Sequence, residues 1–596
     1  MTDDAASPLL TWTPDGEPRS GRFGDVYFSR DNGLAETRAV FLAGCGLPEA
    51  WAGRRRFTVA ELGFGTGLNI AALLTLWRTH RPAGARLHIF SIEGFPLTAE
   101  EARRALGAWP ELSEAAEALT GAWPAGTPGF HRVDLPGFEA VLDLAVGDAE
   151  WALEQWSGTA DAWFLDGFSP ALNPGMWSAP VLDRVAARSA PGARVATFTV
   201  AGAVRRGLAE RGFTIDKRPG HGRKRERLEA RLPSSPREAP VPTVAVIGAG
   251  IAGAALVRAL QEAGVRPQVF EAEGPGAGGS GFPAALVTPR LDAGDLAIAA
   301  LHAQALARAR RLYRATPGAI TTEGVLQLPQ AERDAARFNK IAAQPIWPAG
   351  AMSVIDAAEA GARLGEPSDT GGLVMREALA IRPAAVLNAW LAGADPVTAR
   401  VAALARGERG WRLMGADGRV LGEADAVVLA AGWGAAELLA GVEAPPRLAP
   451  VRGQASWIDS VAANPVAWGG YLAPTPGGVL FGATHDRGDV STEAREADTA
   501  RNRATLAQRL PGLAARIEAS AGMVMGRAAV RAATADRLPV AGALEDGLFI
   551  LGGLGSRGFC VAPLLGEHLA ALITGAPSPL PSGLAARVAP RRAAVA

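Results

Sequence analysis

Two glycine-rich turns in this 596-residue chain have the residue types and spacing of nucleotide sites. In TVAVIGAGIAGAALVRALQEAG (243–264), Gly248, Gly250 and Gly253 form G-x-G-x-x-G directly after an apolar strand, and Glu271 ends the next strand, PQVFEAE. Glycines there let the backbone approach a pyrophosphate at a helix N-terminus, while the acid accepts hydrogen bonds from ribose hydroxyls. A bound dinucleotide is expected, with FAD and NAD both open. In FTVAELGFGTG (57–67) the spacing differs: Glu61, Gly63, Gly65 and Gly67 lead from a short strand into the helical run LNIAALLTLWR. This turn is a second, separate nucleotide-site candidate. DAWFLDGFSPALNPGMW (161–177) reads as an apolar strand ending in Asp166, then a long loop with Pro170, Asn173 and Pro174. Ligands collect at the carboxyl ends of strands in open α/β sheets, which makes Asp166 a candidate acid or base; a helix N-cap is the plain alternative. Only Cys45 and Cys560 are present, which excludes a disulfide scaffold, a CxxC redox pair and a Cys-rich zinc site. No metal is expected.

Strand–turn–helix units position both turns, so the chain reads as α/β. Downstream, DAVVLAAGWG (425–434) is a buried strand ending in small residues, and DGLFILGGLGSRGFCVAPLLGEHLAALI (546–573) repeats strand, glycine turn and helix. One nucleotide fold closed by C-terminal segments suggests a flavin enclosed from both ends. RLPSSPREAPVPT (231–243), rich in Pro, Ser and charge, reads as an interdomain linker and divides the chain into 1–235 and 243–596. The last segment, LPSGLAARVAPRRAAVA, has little to bury and is expected to fray. Hydrophobic residues at 48% and charged residues at 20% describe a globular chain, excluding disordered and fibrous classes. Sixty Lys+Arg balance sixty Asp+Glu, so a nucleic-acid site must be a local patch. Residues 194–231 carry eleven Lys/Arg against four Asp/Glu, either a polynucleotide contact or a solvated face; Arg54–Arg56 add further positive charge. The start, MTDDAASPLL, lacks the basic residues of a signal peptide and no run of about 18 apolar residues occurs, so a cytoplasmic protein that does not span a membrane is expected.

The later set of motifs resembles the D-amino-acid oxidase/glycine oxidase flavoproteins over roughly residues 243–575. It shares their N-terminal fingerprint, the D-x-V-V-x-A-x-G strand and the terminal G-x-x-x-R-G turn. The resemblance implies noncovalent FAD, with Gly553, Gly555, Ser556, Arg557 and Gly558 against the flavin ring. It also implies hydride transfer to the flavin from the carbon beside an amine nitrogen. VRAATADRLPVAG (530–542) is similar to the family's R-P-x-T-x-D-x-x-P-x-x-G segment with Ala532 in place of proline, which implies that Arg531 grips a substrate carboxylate. A structural ion pair is the alternative for Arg531. GAGGSGFPAALVTPR (276–290) is then the loop passing the flavin, where Phe282 and Pro283 replace the family's polar residues. Cys560, beside the turn, is expected to be a small apolar filler rather than a covalent flavin anchor.

Residues Glu61–Gly67 resemble the E-x-G-x-G-x-G turn of class I S-adenosylmethionine methyltransferases. That implies Glu93, ending LHIFSIEGF, on the cofactor's ribose hydroxyls and Asp148, in LDLAVGDAE, at the adenine edge, solvated turn residues being the alternative. Because an alkylammonium cannot attack a sulfonium methyl, Asp166 is the group to orient the amine and take its proton. With DVYFSRDNGLAETRAVFL (25–42), FPLT, ATFTVAGAVRRGL and GHGRKRE, nearly the whole chain is similar to the family of bifunctional tRNA 5-methylaminomethyl-2-thiouridine biosynthesis proteins. The expected fold is α/β: an N-terminal class I methyltransferase (Rossmann-like) domain, then an FAD-binding Rossmann domain with a mixed-sheet α+β substrate domain. The implied activity is FAD-dependent release of glyoxylate from 5-carboxymethylaminomethyl-(2-thio)uridine at the tRNA wobble position, then N-methylation of the exposed amine. The implied partner is the tRNA anticodon region; a monomer is plausible. Two rivals stay open: a fused amino-acid oxidase and amine methyltransferase acting on free metabolites, and a noncatalytic RNA-binding scaffold.

Overall fold

Short apolar runs that end in glycine or an acid become the central parallel strands of two separate sheets. The computed structural model describes residues 8–28, 33–222, 225–235 and 240–593. Parts of the N-terminal segment, Ser29–Asn32, Arg223, Lys224 and the linker core 236–239 lie outside the described residues. The chain divides into one unit of Met1–Pro240 with Pro577–Ser582, and another of Val241–Ala576 with Gly583–Ala596.

In the first unit eight strands lie in the order Gly129–Leu135, Ala140–Val146, Arg86–Glu93, Arg56–Leu62, Ala160–Leu165, Ser189–Thr197, Glu226–Arg231, Thr214–Pro219. The middle five, from Ala140–Val146 to Ser189–Thr197, are parallel, and antiparallel pairs close both edges. Parallel strands covered on both faces need apolar residues at successive positions. Accordingly Val59 and Ile89 enter one core with Trp77, while Ala60, Leu62 and Phe90 enter the other, where Phe90 stacks on Trp156 at 4.3 Å. The sheet therefore has two packed faces, and its ligand positions are left to the strand ends.

In the second unit the strands Val397–Thr398, Gln268–Glu271, Val244–Ile247, Ala426–Leu429, Leu548–Gly552 and Val540–Glu545 form a six-stranded sheet, parallel except for the last. Three distant stretches of sequence thus meet beside the glycine turn. A mixed ten-stranded sheet has as its longest ladder Ala449–Asp459 against Met525–Ala533, and its one parallel pair is Ile320–Gln327 with Val466–Ala467. A small sheet of Ala403–Arg406, Trp411–Met414 and Val420–Ala424 packs on the nucleotide sheet through Trp411 and Leu413.

Helices Ile251–Glu262, Leu296–Arg314 and Gly558–Thr574 are joined by Glu567. Its buried carboxylate pairs with Arg258 and takes Arg308 through Nη2 at 2.6 Å and Nε at 2.9 Å. The C-terminal stretch differs from expectation. Instead of fraying it forms helical turns at Ser582–Val588 and Pro590–Ala593, with Val588 fully buried. Arg592 fastens it, bonding Asp536 at 3.0 Å and the Leu538 carbonyl at 2.9 Å, so ion pairing supplies what the apolar content does not. No helix among the described residues is long and apolar enough to cross a membrane.

Candidate active sites

At the carboxyl edge of the first sheet the turn after Leu62 is held by its neighbours. Gly63 and Phe64 donate to the Ile92 carbonyl at 3.1 and 3.0 Å, and Gly65 donates to Glu93 Oε2 at 2.9 Å. Gly63, Gly65 and Gly67 all have positive φ (92°, 52° and 80°), and a Cβ at Gly63 would overlap the Asp166 carbonyl oxygen. The turn thus lies directly against the end of the strand carrying Asp166, whose own N–H extends the ladder to Leu62 at 3.1 Å.

Asn69, in the first turn of helix Leu68–His80, connects the acids. Its Nδ2 donates to Glu61 Oε1 at 3.1 Å and to Asp166 Oδ2 at 2.6 Å, while Thr37 donates to its Oδ1 at 2.8 Å. The threonine fixes the amide so that the NH2 faces both carboxyl groups. Ser91 donates to Glu61 Oε2 at 2.6 Å. Burial pushes the Glu61 carboxyl up to about 8, opposed by the Ser91 and Asn69 hydrogen bonds and aided by the charges of Asp166 and Glu93. Burial likewise raises Glu93, against hydrogen bonds from the amides of Phe95, Gly65 and Gly94. No α-helix begins at Asp166: the next helical turn is Pro174–Trp177, which removes the N-cap alternative. Asp148 follows Gly147, whose N–H reaches the Glu93 carbonyl at 3.0 Å, so the two acids sit at adjacent strand ends. Asp148 caps helix Ala149–Gln155, its Oδ1 accepting from Glu150 and Trp151 at 2.9 and 3.2 Å, and the residue is exposed.

An aromatic wall flanks this edge: Phe168 packs on Phe23 at 4.8 Å and on Tyr27 at 5.3 Å, and Phe23 meets Phe95 at 5.9 Å. Burial and the neighbouring Glu93 hold the Tyr27 hydroxyl protonated. Asn69, Thr37 and these rings carry no role in the sequence reading, although Tyr27 and Phe168 lie inside segments that identify the family. Of the basic stretch 194–231, Arg211, Lys217, Arg218 and Arg227 pair with acids, as a solvated face does; Arg223 and Lys224 lie outside the described residues.

The second unit holds a cavity of about 610 Å³ lined by Gly248, Gly250, Glu271, Arg531, Gly553 and Arg557 among others. Glu271 Oε2 accepts from the Ala249 N–H at 2.7 Å. A Cβ at Gly253 would overlap the Gly248 carbonyl oxygen, so helix Ile251–Glu262 meets the turn as closely as backbone allows. Gly555 donates to the Ala532 carbonyl at 3.0 Å, joining the late glycine turn to the Arg531 strand. Arg557 bonds the hydroxyl and carbonyl of Thr288, in the loop 276–290. Gly558 opens helix Gly558–Thr574 and lines the cavity with its positive end. A cavity of this size, bounded by a dinucleotide-type turn at one part and two arginines at another, fits FAD. Phe282 lines it too and, like Tyr471 and Leu286, packs against the small core of Ala284, Ala455, Ala473 and Leu480. Cys560 is fully buried, burial pushes its thiol up to about 12, and it does not reach the cavity lining, in keeping with a filler role.

Arg531 projects from strand Met525–Ala533 into this cavity. Its Nη2 donates to His485 Nδ1 at 3.1 Å and lies 3.5 Å from the Thr484 carbonyl, but among the described residues it forms no ion pair. The structural-pair alternative has no partner here. Tyr471 and His485 complete this end of the lining; burial raises the Tyr471 hydroxyl, and partial burial together with the surrounding arginines lowers the His485 imidazole. Neither is marked by the sequence reading. Among the described residues no cluster of His, Cys, Asp and Glu is arranged for a metal ion.

Known proteins bear on both sites. Residues 243–572 match the family described as FAD dependent oxidoreductase, and residues 110–233 match S-adenosyl-L-methionine-dependent methyltransferase. The chain is 58% identical over 603 residues to the tRNA 5-methylaminomethyl-2-thiouridine biosynthesis bifunctional protein MnmC of Caulobacter sp. (strain K31), covering 99% of this chain and 98% of that one. It is also 58% identical, over 586 residues, to the protein of that name from Caulobacter vibrioides, covering 98% and 97%. Among solved structures, glycine oxidase from Geobacillus kaustophilus is 24% identical with a TM-score of 0.48, over 57% of this chain and 96% of that one.

Proposed function

The chain belongs to the family of bifunctional tRNA 5-methylaminomethyl-2-thiouridine biosynthesis proteins, and from that premise we infer what each site does. It is a bifunctional enzyme of tRNA wobble-uridine modification, with an FAD-dependent oxidoreductase and an S-adenosylmethionine-dependent methyltransferase. The oxidoreductase converts the 5-carboxymethylaminomethyl arm to 5-aminomethyl with release of glyoxylate, and the methyltransferase then methylates the new amine. The domain assignment is 1–235 for methyl transfer and 243–596 for oxidation.

The observation that carries this reading is Arg531. A half-buried guanidinium without an acidic partner, in a cavity with a dinucleotide turn, is what a side arm ending in a carboxylate requires. Arg531 holds that carboxylate, and Tyr471 and Arg557 enclose the arm. FAD, when bound in this cavity, supplies the acceptor for a hydride from the carbon between nitrogen and carboxylate. The resulting C=N bond takes up water and breaks into an aldehyde acid and a primary amine, so glyoxylate leaves and the tRNA keeps the amine.

At the other site Glu61, Gly63, Gly65, Gly67, Glu93 and Asp148 hold S-adenosylmethionine, the methyl donor. Asp166, one oxygen fixed by Asn69, orients the incoming ammonium and takes the proton that must leave before nitrogen attacks. Phe23, Tyr27 and Phe168 keep water from that face. We place the enzyme in the cytoplasm, where its two buried thiols stay reduced, with the anticodon region of tRNA as partner.

The test is mass analysis of tRNA nucleosides after incubation of the yellow protein with hypomodified tRNA, with and without S-adenosylmethionine. Loss of the carboxymethyl group without the donor, and gain of one methyl with it, is expected. Unchanged tRNA alongside turnover of glycine or sarcosine would turn the assignment to a fused small-molecule enzyme pair.

A further inference from the structure

We propose that Arg487 and Arg537 form, at the mouth of the oxidase cavity, a docking surface for the phosphodiester backbone of the RNA whose modified base enters that cavity. The proposal rests on the tRNA reading above and says where this unit grips the strand.

The cavity reaches solvent at His485, Val490 and Thr492, which line it and are exposed. Register places a cation on that rim. Val451 stands opposite Arg531 on one side and opposite Arg487 on the other, so the three form one row across the sheet. Residues directly opposite in neighbouring strands share a face, and successive residues alternate. The next row, Asp486, Arg452 and Val530, turns the other way, and there Arg452 is fully buried against Asp498. Arg487 therefore stands on the face from which Arg531 enters the cavity. Arg537 comes from the turn after Ala533, where its N–H closes onto the Thr534 carbonyl at 3.1 Å and its φ is 60°. Ala533 bridges to Leu554, which lines the cavity, so the turn carrying Arg537 leaves its strand at the cavity's edge; Arg531, Arg487 and Arg537 all bias His485 electrostatically as well.

Charge bookkeeping leaves these cations unspent. The acids beside them in sequence are already engaged, Asp486 by Arg501 at 2.7 Å, Asp489 by Arg495 at 2.7 Å and Asp536 by Arg592 at 3.0 Å, while the exposed Glu493 near the rim forms no ion pair among the described residues. Arg487 and Arg537 are exposed and, among the described residues, form no ion pair. Two uncompensated guanidiniums beside a pocket whose inner arginine serves a carboxylate suit the phosphates flanking a single everted nucleotide. A small amino acid in the pocket would have no use for them.

The experiment uses the full-length FAD-loaded enzyme and follows glyoxylate release from two substrates: an anticodon stem-loop RNA carrying 5-carboxymethylaminomethyluridine, and the free nucleoside. The quantity read is the ratio of kcat/KM for RNA over nucleoside. With Arg487→Ala and Arg537→Ala combined, that ratio falls about tenfold or more, and the log–log salt dependence for RNA loses about one unit of slope per arginine. Arg487→Lys with Arg537→Lys restores most of the ratio, since a phosphate accepts either cation. An unchanged ratio, or equal loss on both substrates, would overturn the proposal. So would inhibition by polyglutamate as strong as that by unmodified RNA of equal charge. A wild-type enzyme that oxidises glycine but neither of these substrates would instead bring down the tRNA reading, and this surface with it.

Discussion

Asn69 shows how one neutral side chain sets the chemistry of its neighbours. Thr37 determines which end of the amide faces the acids, and the amide then fixes Asp166 at the edge where an amine must arrive. Asp166→Ala is expected to slow methyl transfer by about 10²–10⁴-fold, the usual worth of a positioned acid or base, while glyoxylate release stays intact. The check is methylation of a supplied aminomethyl-tRNA by the variant; normal rates there would remove Asp166 from the acceptor site. Glu61 makes a different prediction, on stability. Its folded pKa, about 8, lies above the value of about 4.3 for an unfolded glutamate, so the folded state holds the proton more tightly. Its contribution is full below the unfolded value and is lost as pH rises through about 8. Melting of the first unit between about pH 5 and 9 should fall with pH in the wild type and flatten in Glu61→Gln; parallel curves would mean that Glu61 is ionised in the fold. Gly63, Gly65, Glu61 and Glu93 were legible in the sequence because the constraint on each is local, a turn or a strand end. Asn69, Tyr471 and His485 were not, because each acquires its role from a partner on another element: Asp166, Arg531 and the cavity itself.

Helix and strand contacts separate what two glycines of the flavin turn do. Gly250 has φ −79°, lines the cavity, and an added Cβ there would stand 3.2 Å from Ser280 Oγ, which accepts from the Ile251 N–H at 3.0 Å. At Gly253 the added atom would strike the Gly248 carbonyl, which is backbone and fixed by strand Val244–Ile247. Gly253→Ala is therefore expected to destabilise the oxidase unit by about 1–3 kcal/mol, whereas Gly250→Ala, whose Cβ stands where the backbone must approach a pyrophosphate, is expected to impair FAD retention without that packing cost. Denaturant unfolding together with visible flavin absorbance per mole of purified protein separates the two, and equal stability of the variants would contradict the close approach of helix and turn. Glu567 governs the next level, since one carboxylate compensates two arginines on two other helices. Glu567→Ala leaves both guanidiniums buried without their acid, and the oxidase unit should lose about 3–5 kcal/mol in denaturant unfolding. A loss below about 1 kcal/mol would show that solvent reaches the cluster. The strands that carry both glycine turns could be read from apolar runs, and so could the late Leu548–Gly552 strand. The order of the ten-stranded sheet could not, because register between Ala449–Asp459 and its three partner strands depends on pairings with residues far along the chain. The C-terminal stretch departs from expectation for the same reason: Val588 and Arg592 are stabilised by the surface they land on.

Every residue assigned here to methyl transfer falls between Phe23 and Phe168 in the first unit, and the whole cavity lining falls between Ile247 and Phe559 in the second. Among the described residues, each site is built from its own unit. The two steps are nonetheless chemically ordered, since the primary amine that the methyltransferase needs is created only when glyoxylate leaves. Independence of residues together with dependence of substrates makes a specific prediction. Asp166→Ala should accumulate 5-aminomethyluridine in tRNA, and Arg531→Ala should leave the carboxymethyl group in place. An equimolar mixture of the two proteins with hypomodified tRNA and S-adenosylmethionine should restore the methylated nucleoside, because tRNA released by the first variant is a substrate for the intact methyltransferase of the second. Time courses by nucleoside mass analysis decide the matter. Recovery to the wild-type end point with a lag would show free exchange of the intermediate; absence of recovery, with each variant still active on its own supplied substrate, would mean that the amine passes to the methyltransferase only within one chain.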